Sequence, residues 1–214
     1  MCAIIGFDSP TLTEQEIRPY FDRTISRGPD MSRMEKAGRG MLGFHRLAIM
    51  GLHEEGMQPF HLGGDMAVCN GELYGFRPLK KELEAKGYTF ASESDCELIL
   101  PLYREYGVEM FAKLDAEFAM IIYDAKADRL VAARDPIGIR PLFYGYLADG
   151  GILFASEAKN LVGLCERIMP FPPGHYYADG KFVRYADLTT VTEYSKDDLD
   201  TVCKKIREKL IAGV

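Results

Sequence analysis

The chain opens MCAIIGF, residues 1–7. A cysteine stands directly behind the initiator methionine, and the apolar run Ala3, Ile4, Ile5 leads to Gly6 and Phe7. The run predicts a short buried strand. The thiol at its head has two readings. If Met1 is removed, as processing usually does before a small residue, Cys2 carries both a sulfur nucleophile and a free α-amine. Otherwise it is a small buried apolar residue that happens to come second.

Working outward, Thr13 to Ser26 reads as a helix. Thr13 and Glu16 have capping-box spacing, and Ile17, Tyr20, Phe21 and Ile25 form an apolar stripe. RGPD at 27–30 is a turn. MLGFHRLAIMG at 41–51 and DMAVCN at 65–70 read as strands. Residues 77–86 form an amphipathic helix. Another starts near Ser94, where Ser94 and Glu97 again have capping-box spacing, and ends about Tyr106. EFAMIIYD, RLVAARD, PLFYGYL and GILFAS are strands separated by turn residues such as Asp149-Gly150. A last helix covers roughly 196–212, and its end, KKIREKLIAGV, carries no clear stop signal. Two packed sheets covered by helices would use these pieces.

Composition excludes several function classes. In 214 residues, 47% are hydrophobic and 27% charged, ordinary for a globular chain. Net charge is −6 with no basic run, which argues against a nucleic-acid partner. The cysteines at 2, 69, 96, 165 and 203 are odd in number and contain no CxxC pair. That excludes a disulfide framework and a zinc ribbon, and predicts a reducing cytoplasm. No signal peptide or membrane-length apolar run is present, so no membrane is expected.

The chemistry starts at Cys2. A thiol attacks as thiolate, with a free pKa of about 8.5. A terminal α-amine titrates near pH 8 and can take its proton, directly or through one water. No histidine partner is needed. NGELYGFR at 70–77 places Asn-Gly after a strand, which is first a turn signal. Its functional reading is an oxyanion hole, with the Asn70 side-chain amide and the Gly71 N–H as donors. Arg46 falls late in a buried-looking strand, where it requires a carboxylate, a ligand or solvent. Asp95 in the first turn of a helix is favoured by the helix dipole alone. Together the two could grip the carboxylate and ammonium of an amino acid. His45 reads as a strand residue; its neighbours lack metal-ligand spacing.

Taken in order, MCAIIGF, RGPD, FHRLAIMG, MQPF, NGELYGFR, SDCELIL, ARDPIGIRPLFY, FASEAKNL and PPGHYY cover almost the whole chain. This set resembles the class II glutamine amidotransferases of the N-terminal nucleophile hydrolase superfamily. Within them it is similar to the glutaminase domain of glutamine-dependent asparagine synthetases. RGPD, RDPIGIRPLFY and FASEAK favour that branch over the phosphoribosyl-amine and glucosamine-phosphate branches. The resemblance implies an α+β fold, a four-layer αββα sandwich of two mainly antiparallel sheets with the Cys2 strand in the middle. It implies glutamine hydrolysis through a γ-glutamyl thioester on Cys2. Arg46 would bind the substrate α-carboxylate, and the main chain of Leu47, Ala48, Ile49 and Met50 would line the pocket. Asn70 and Gly71 would form the oxyanion hole, and Glu72 and Asp95 would take the α-ammonium.

Two positions depart from the family pattern, Gly75 where Asn is common and Ala116 where Gly is common. The resemblance also implies an ATP-pyrophosphatase domain with an SGGxDS loop, and neither that nor a Walker-type loop occurs here. The expected organisation is therefore an amidotransferase domain over 2–190 and a helical linker over 191–214 toward an absent synthetase domain. No metal or cofactor is expected in this chain; ATP and Mg²⁺ belong to the missing half. Expected partners are L-glutamine and a synthetase domain in cis or in trans, with a homodimer left open. A stand-alone amidotransferase subunit for another acceptor and a non-catalytic module keeping the fold are the alternatives.

Overall fold

A computed structural model describes residues 1–49 and 53–213. Two antiparallel six-stranded sheets face each other. The first has the order β10-β8-β9-β1-β3-β2, using β1 (Ala3–Asp8), β2 (Met31–Ala37), β3 (Gly40–Arg46), β8 (Phe143–Tyr146), β9 (Ile152–Ala155) and β10 (Ile168–Pro170). The second has the order β12-β11-β7-β6-β5-β4. It uses β4 (Phe60–Leu62), β5 (Asp65–Leu73), β6 (Ala116–Asp124), β7 (Arg129–Arg134), β11 (His175–Ala178) and β12 (Lys181–Arg184). Helix α1 (Glu14–Phe21) covers the first sheet; α2 (Phe76–Ala85) and α3 (Ile99–Tyr106) cover the second. The expected αββα layering and the interior position of the Cys2 strand both hold.

Strand periodicity explains the layers. In β1, Ile5 and Phe7 pack with Ile17 and Phe21 of α1, while Ile4 turns between the sheets toward Val68, Ile121 and Phe154. The sheets approach so closely at Gly6 that a Cβ there would lie 2.8 Å from Leu42 Cδ2 and 3.0 Å from Ile121 Cδ1. On the far side, Leu83, Ile99, Leu102 and Phe111 bury the outer face of β5, β6 and β7.

Several sequence readings are corrected. The Thr13–Glu16 capping box forms, but the α-helix ends at Phe21 and continues only as a 3₁₀ turn, Asp22–Arg27. Pro19 sits inside it and supplies no N–H. The Ser94–Glu97 box does not form. Residues 91–92 fold back instead, and the Glu97 carboxylate accepts the N–H groups of Ala91 (2.7 Å) and Ser92 (2.8 Å). Residues 31–37, to which the sequence reading assigned no element, are strand β2; its polar residues suit an edge. Asn70-Gly71 is not a turn. Strand β5 runs through it, with Asn70 opposite Ala119 and Gly71 opposite Phe118. The expected strand over 41–51 ends at Arg46, and its last residues, 50 and 51, lie outside the described residues. The last helix, α4 (Leu199–Ala212), has no buried residue. Among the described residues no helix is long and apolar enough to cross a membrane.

Candidate active site

Cys2 enters the site from the head of β1, where Leu47 and Arg27 hold Cys2 and Ser156 holds Ile4. The Leu47 N–H points at Cys2 Sγ (3.4 Å), and the thiol faces the Leu47 carbonyl (3.6 Å). The Cys2 carbonyl accepts from Arg27 Nε at 3.1 Å. Arg27 is anchored by Glu157 at 2.9 Å, so RGPD and FASEAK meet at the nucleophile. Ser156 completes the clamp: its Oγ accepts the Ile4 N–H at 2.9 Å, and its own N–H donates to the Ile4 carbonyl at 3.0 Å. Burial pushes the Cys2 thiol above its ordinary pKa, and the Leu47 N–H and the N-terminal charge pull against it. At rest the sulfur is a thiol and needs a base.

The loop after β3 is fixed from RGPD. Asp30 donates its N–H to the Arg46 carbonyl at 3.1 Å, and its carboxylate accepts the Ala48 N–H at 2.8 Å. Gly28 is required by close approach, since a Cβ there would sit 2.2 Å from the His45 carbonyl. His45 is structural, as read. Its Nε2 faces the Phe21 carbonyl (3.1 Å), which only accepts, so Nδ1 accepts from Ser32 (2.6 Å). Burial lowers its pKa and keeps it neutral.

Strand β5 supplies the opposite wall. Strand β4 pairs only with residues 65–67, which leaves the rest of that edge open. Side chains occupy it in place of a strand. Gln58 accepts the Cys69 N–H at 2.6 Å and donates to the Cys69 carbonyl at 3.2 Å. Asp95 accepts the Leu73 N–H at 2.7 Å. Peptide direction alternates along a strand, so the Gly71 N–H, midway between Cys69 and Leu73, points to the same open edge. A Cβ on Gly71 would meet the Glu117 carbonyl at 2.5 Å. Asn70 is 2% exposed, and its buried Nδ2 has no hydrogen-bond partner. A buried orphan donor costs about 1–3 kcal/mol and calls for an acceptor.

One cleft collects Cys2, Arg46, Leu47, Ile49, Asn70, Gly71, Glu72 and Asp95. Arg46 is 3% exposed, donates to the His53 carbonyl at 2.8 Å and lies 3.7 Å from the Met31 sulfur. Ala48 is not in the lining, its N–H being committed to Asp30. Met50 lies outside the described residues. Burial raises the Asp95 pKa against the N–H groups it accepts. The cleft thus holds the Cys2 thiol, two donors in Asn70 and Gly71, a buried cation and a buried carboxylate, the parts needed to hold an amino acid while its side-chain carbonyl is attacked.

Comparison with known proteins agrees with this geometry. Residues 1–178 match the family profile described as a glutamine amidotransferase domain. The chain belongs to that family. This amidotransferase domain is 44% identical over 195 residues to a probable glutamine-hydrolysing asparagine synthetase of Dictyostelium discoideum, covering 86% of this chain and 35% of that protein. It is 38% identical over 185 residues to asparagine synthetase 2 of Arabidopsis thaliana, covering 83% and 31%. The chain spans about a third of the length of the curated relatives it matches. Among solved structures, the allosteric regulatory enzyme of purine biosynthesis superposes with a TM-score of 0.73 at 21% identity, covering 86% of this chain and 49% of that one. The glutamine phosphoribosylpyrophosphate amidotransferase of B. subtilis superposes with a TM-score of 0.70 at 20% identity, with the same coverage. These superpositions show that the two-sheet fold is shared with those two enzymes.

Other residues of the amidotransferase site escaped the sequence reading. Gln58, Cys69, Ser94, Cys96 and Arg140 also line the cleft. MQPF signals Gln58 only by composition, and the two cysteines looked isolated. Arg140 is bonded to Glu117, which faces Glu72 across β5 and β6, so a cation sits beside two opposed carboxylates. The Gly75 departure is also explained. Gly75 precedes α2 with φ of 58°, a conformation that glycine and asparagine share.

Proposed function

We propose that this domain hydrolyses L-glutamine to glutamate and ammonia through a γ-glutamyl thioester on Cys2. We also propose that the ammonia feeds an ATP-dependent asparagine-forming half, in cis or in trans. The observation that carries the reading is the unpartnered Nδ2 of buried Asn70 in the cleft that contains Cys2.

Arg46 pairs with the substrate α-carboxylate, while Asp95 and Glu72 receive the α-ammonium. That places the side-chain amide at Cys2. Once Met1 is removed, the α-amine of Cys2 accepts the thiol proton, and the sulfur attacks the amide carbon. The oxygen gains negative charge between Asn70 Nδ2 and the Gly71 N–H, each such donor typically worth about 3 kcal/mol in the transition state. The α-ammonium returns the proton to the departing nitrogen, and ammonia leaves. The same amine then takes a proton from water, which attacks the thioester and releases glutamate. Residues 2–190 form the amidotransferase domain and residues 191–214 the helical linker; that no residue of α4 is buried supports that division. ATP and Mg²⁺ act in the other half.

The test is a glutaminase assay on protein beginning at Cys2. Glutamate and ammonia are expected, and Cys2→Ala abolishes both. A diazo-oxo-norleucine probe should leave its adduct on Cys2, and labelling that persists in Cys2→Ala overturns the assignment. With aspartate, ATP and Mg²⁺ added, no AMP or pyrophosphate should form.

A further inference from the structure

The edge of β5 that faces away from β6 presents alternate residues, Cys69, Gly71 and Leu73. The direction is set from β6: Phe118, opposite Gly71, turns its carbonyl the other way, to the Asp135 N–H at 2.8 Å. Strand β4 covers only residues 65–67 of that edge, and beyond it side chains meet the backbone. Gln58, 4% exposed, accepts the Cys69 N–H at 2.6 Å and donates to the Cys69 carbonyl at 3.2 Å. Cys96 Sγ faces the Gly71 carbonyl at 3.8 Å, and Asp95 accepts the Leu73 N–H at 2.7 Å. The Gly71 N–H lies between these caps, and Gly71 opens on the cleft that Gln58, Asn70 and Cys2 also line.

We propose that Gln58 is a positioning residue: by clamping Cys69 on both its N–H and its carbonyl, it aims the Asn70 amide and the Gly71 N–H at one point in the cleft. The role rests on the oxyanion hole proposed above; the clamp itself does not. The Cys69 carbonyl belongs to the peptide that continues into Asn70. Fixing its direction fixes that whole peptide plane, from which the Asn70 side chain departs. A primary amide suits the task, because it joins one acceptor to one donor group. Cys69 needs an acceptor for its N–H and a donor for its carbonyl, so only one orientation of the Gln58 amide serves both. A strand in this place would run on past Cys69 and take the Gly71 N–H as well. A side chain imitates the strand for one residue and stops. The next outward N–H is then left to an oxygen that gains charge.

Gln58→Met keeps the length of the side chain and removes both hydrogen bonds. Its kcat for glutamine hydrolysis should fall about tenfold, as donors drift from the reacting oxygen. Its KM should stay within about twofold of wild type, because the loss is confined to the transition state. The loss should also pass through the hole. In an Asn70→Ala background the same change should cost at most about threefold, since residues of one unit do not act additively. An unchanged kcat, or an undiminished loss in the Asn70→Ala background, overturns the role. A raised KM with normal kcat does so too, by making Gln58 a substrate contact.

Amide hydrogen exchange on the wild-type chain, followed by NMR, tests the clamp even if Gln58→Met does not fold. In free protein the Cys69 and Leu73 amides should exchange slowly, and the Gly71 amide at least about tenfold faster. Reaction with the diazo-oxo-norleucine probe brings a carbonyl oxygen to Cys2, and the Gly71 amide should then slow toward its neighbours. A Cys69 amide that exchanges as fast as Gly71 in free protein overturns the clamp. A Gly71 amide already as slow as Cys69 there shows that the edge is closed at Gly71, and overturns the proposal as well. If Asn70→Ala keeps a normal kcat, the oxyanion reading fails, while exchange at Cys69 still decides the clamp.

Discussion

Arg27 donates from Nε to the carbonyl oxygen of Cys2 at 3.1 Å, and its Nη1 is held by Glu157 at 2.9 Å. The catalytic strand is therefore fixed at its first peptide by a half-buried ion pair. Arg27→Met leaves the Cys2 carbonyl without that donor and Glu157 without its arginine. Breaking such a pair costs about 1–3 kcal/mol of stability. The larger expected effect is on geometry: a nucleophile displaced by about 1 Å can lose about 10²-fold in rate. Thermal melts and steady-state kinetics should show kcat falling further than the loss of stability explains, with KM little changed.

Asn70→Ala separates an oxyanion donor from a structural amide. Because Nδ2 has no partner in the folded protein, its removal breaks no bond of that group. The melting temperature should stay close to wild type, while kcat falls about 10²–10³-fold. A normal kcat removes Asn70 from the catalytic machinery.

On the proposed reading, Arg46→Ala and Asp95→Asn act on the part of glutamine that does not react. Each should raise KM, by about tenfold or more, further than it lowers kcat. Asp95 also yields a signed pH prediction. Burial raises its folded pKa above the unfolded value, so folding favours the protonated form. The associated stability is present below the unfolded carboxylate pKa of about 3.9 and is lost as pH rises through the folded value. An ionised Asp95 is a buried charge, which on the proposed reading the substrate ammonium relieves. Asp95→Asn should therefore melt higher than wild type at pH 7, with the gap closing on acidification, while its KM is worse. A lower melting point at pH 7 would show that the Leu73 contact outweighs the desolvation.

The division between legible and illegible parts of this molecule follows interaction range. Cys2, Arg46, Asn70 and Asp95, which the fold brings to one cleft, stood out in the sequence because each is a chemical type in a short motif. Strands β1, β6, β7 and β9 were readable because buried apolar runs mark them. The Asn70-Gly71 turn was wrong because a local signal lost to pairing with β6, which excludes any side chain at Gly71. Strand β2 was missed because its charges suit an edge and its pairing with β3, its one strand partner among the described residues, is what makes it a strand. Cys69 and Cys96 were missed as cleft residues because spacing along the chain carries no information about side chains that β5 and the Asp95–Leu98 turn bring to one cleft.

The last prediction concerns the amine. Burial raises the Cys2 thiol, and no histidine lines the cleft among the described residues. Leu47 offers the sulfur an N–H donor and a carbonyl. A carbonyl cannot take a proton for transfer, and on the proposed reading the cleft carboxylates Glu72 and Asp95 are taken up by the substrate ammonium, which leaves the α-amine of Cys2 as the base. With Met1 attached, that nitrogen is an amide and has no basicity. Protein carrying an inserted residue that blocks methionine removal should fold normally and still bind glutamine, since Arg46, Glu72 and Asp95 are untouched. Its kcat should fall by at least about 10², the usual contribution of a positioned general base. Processed protein should gain activity as pH rises toward the amine pKa near 8, and the blocked form should lack that rise. Mass spectrometry of the intact chain fixes which N-terminus is present, and a pH–rate series on both forms reads the result. Equal kcat in the two forms would remove the α-amine from the mechanism and require another base in the cleft.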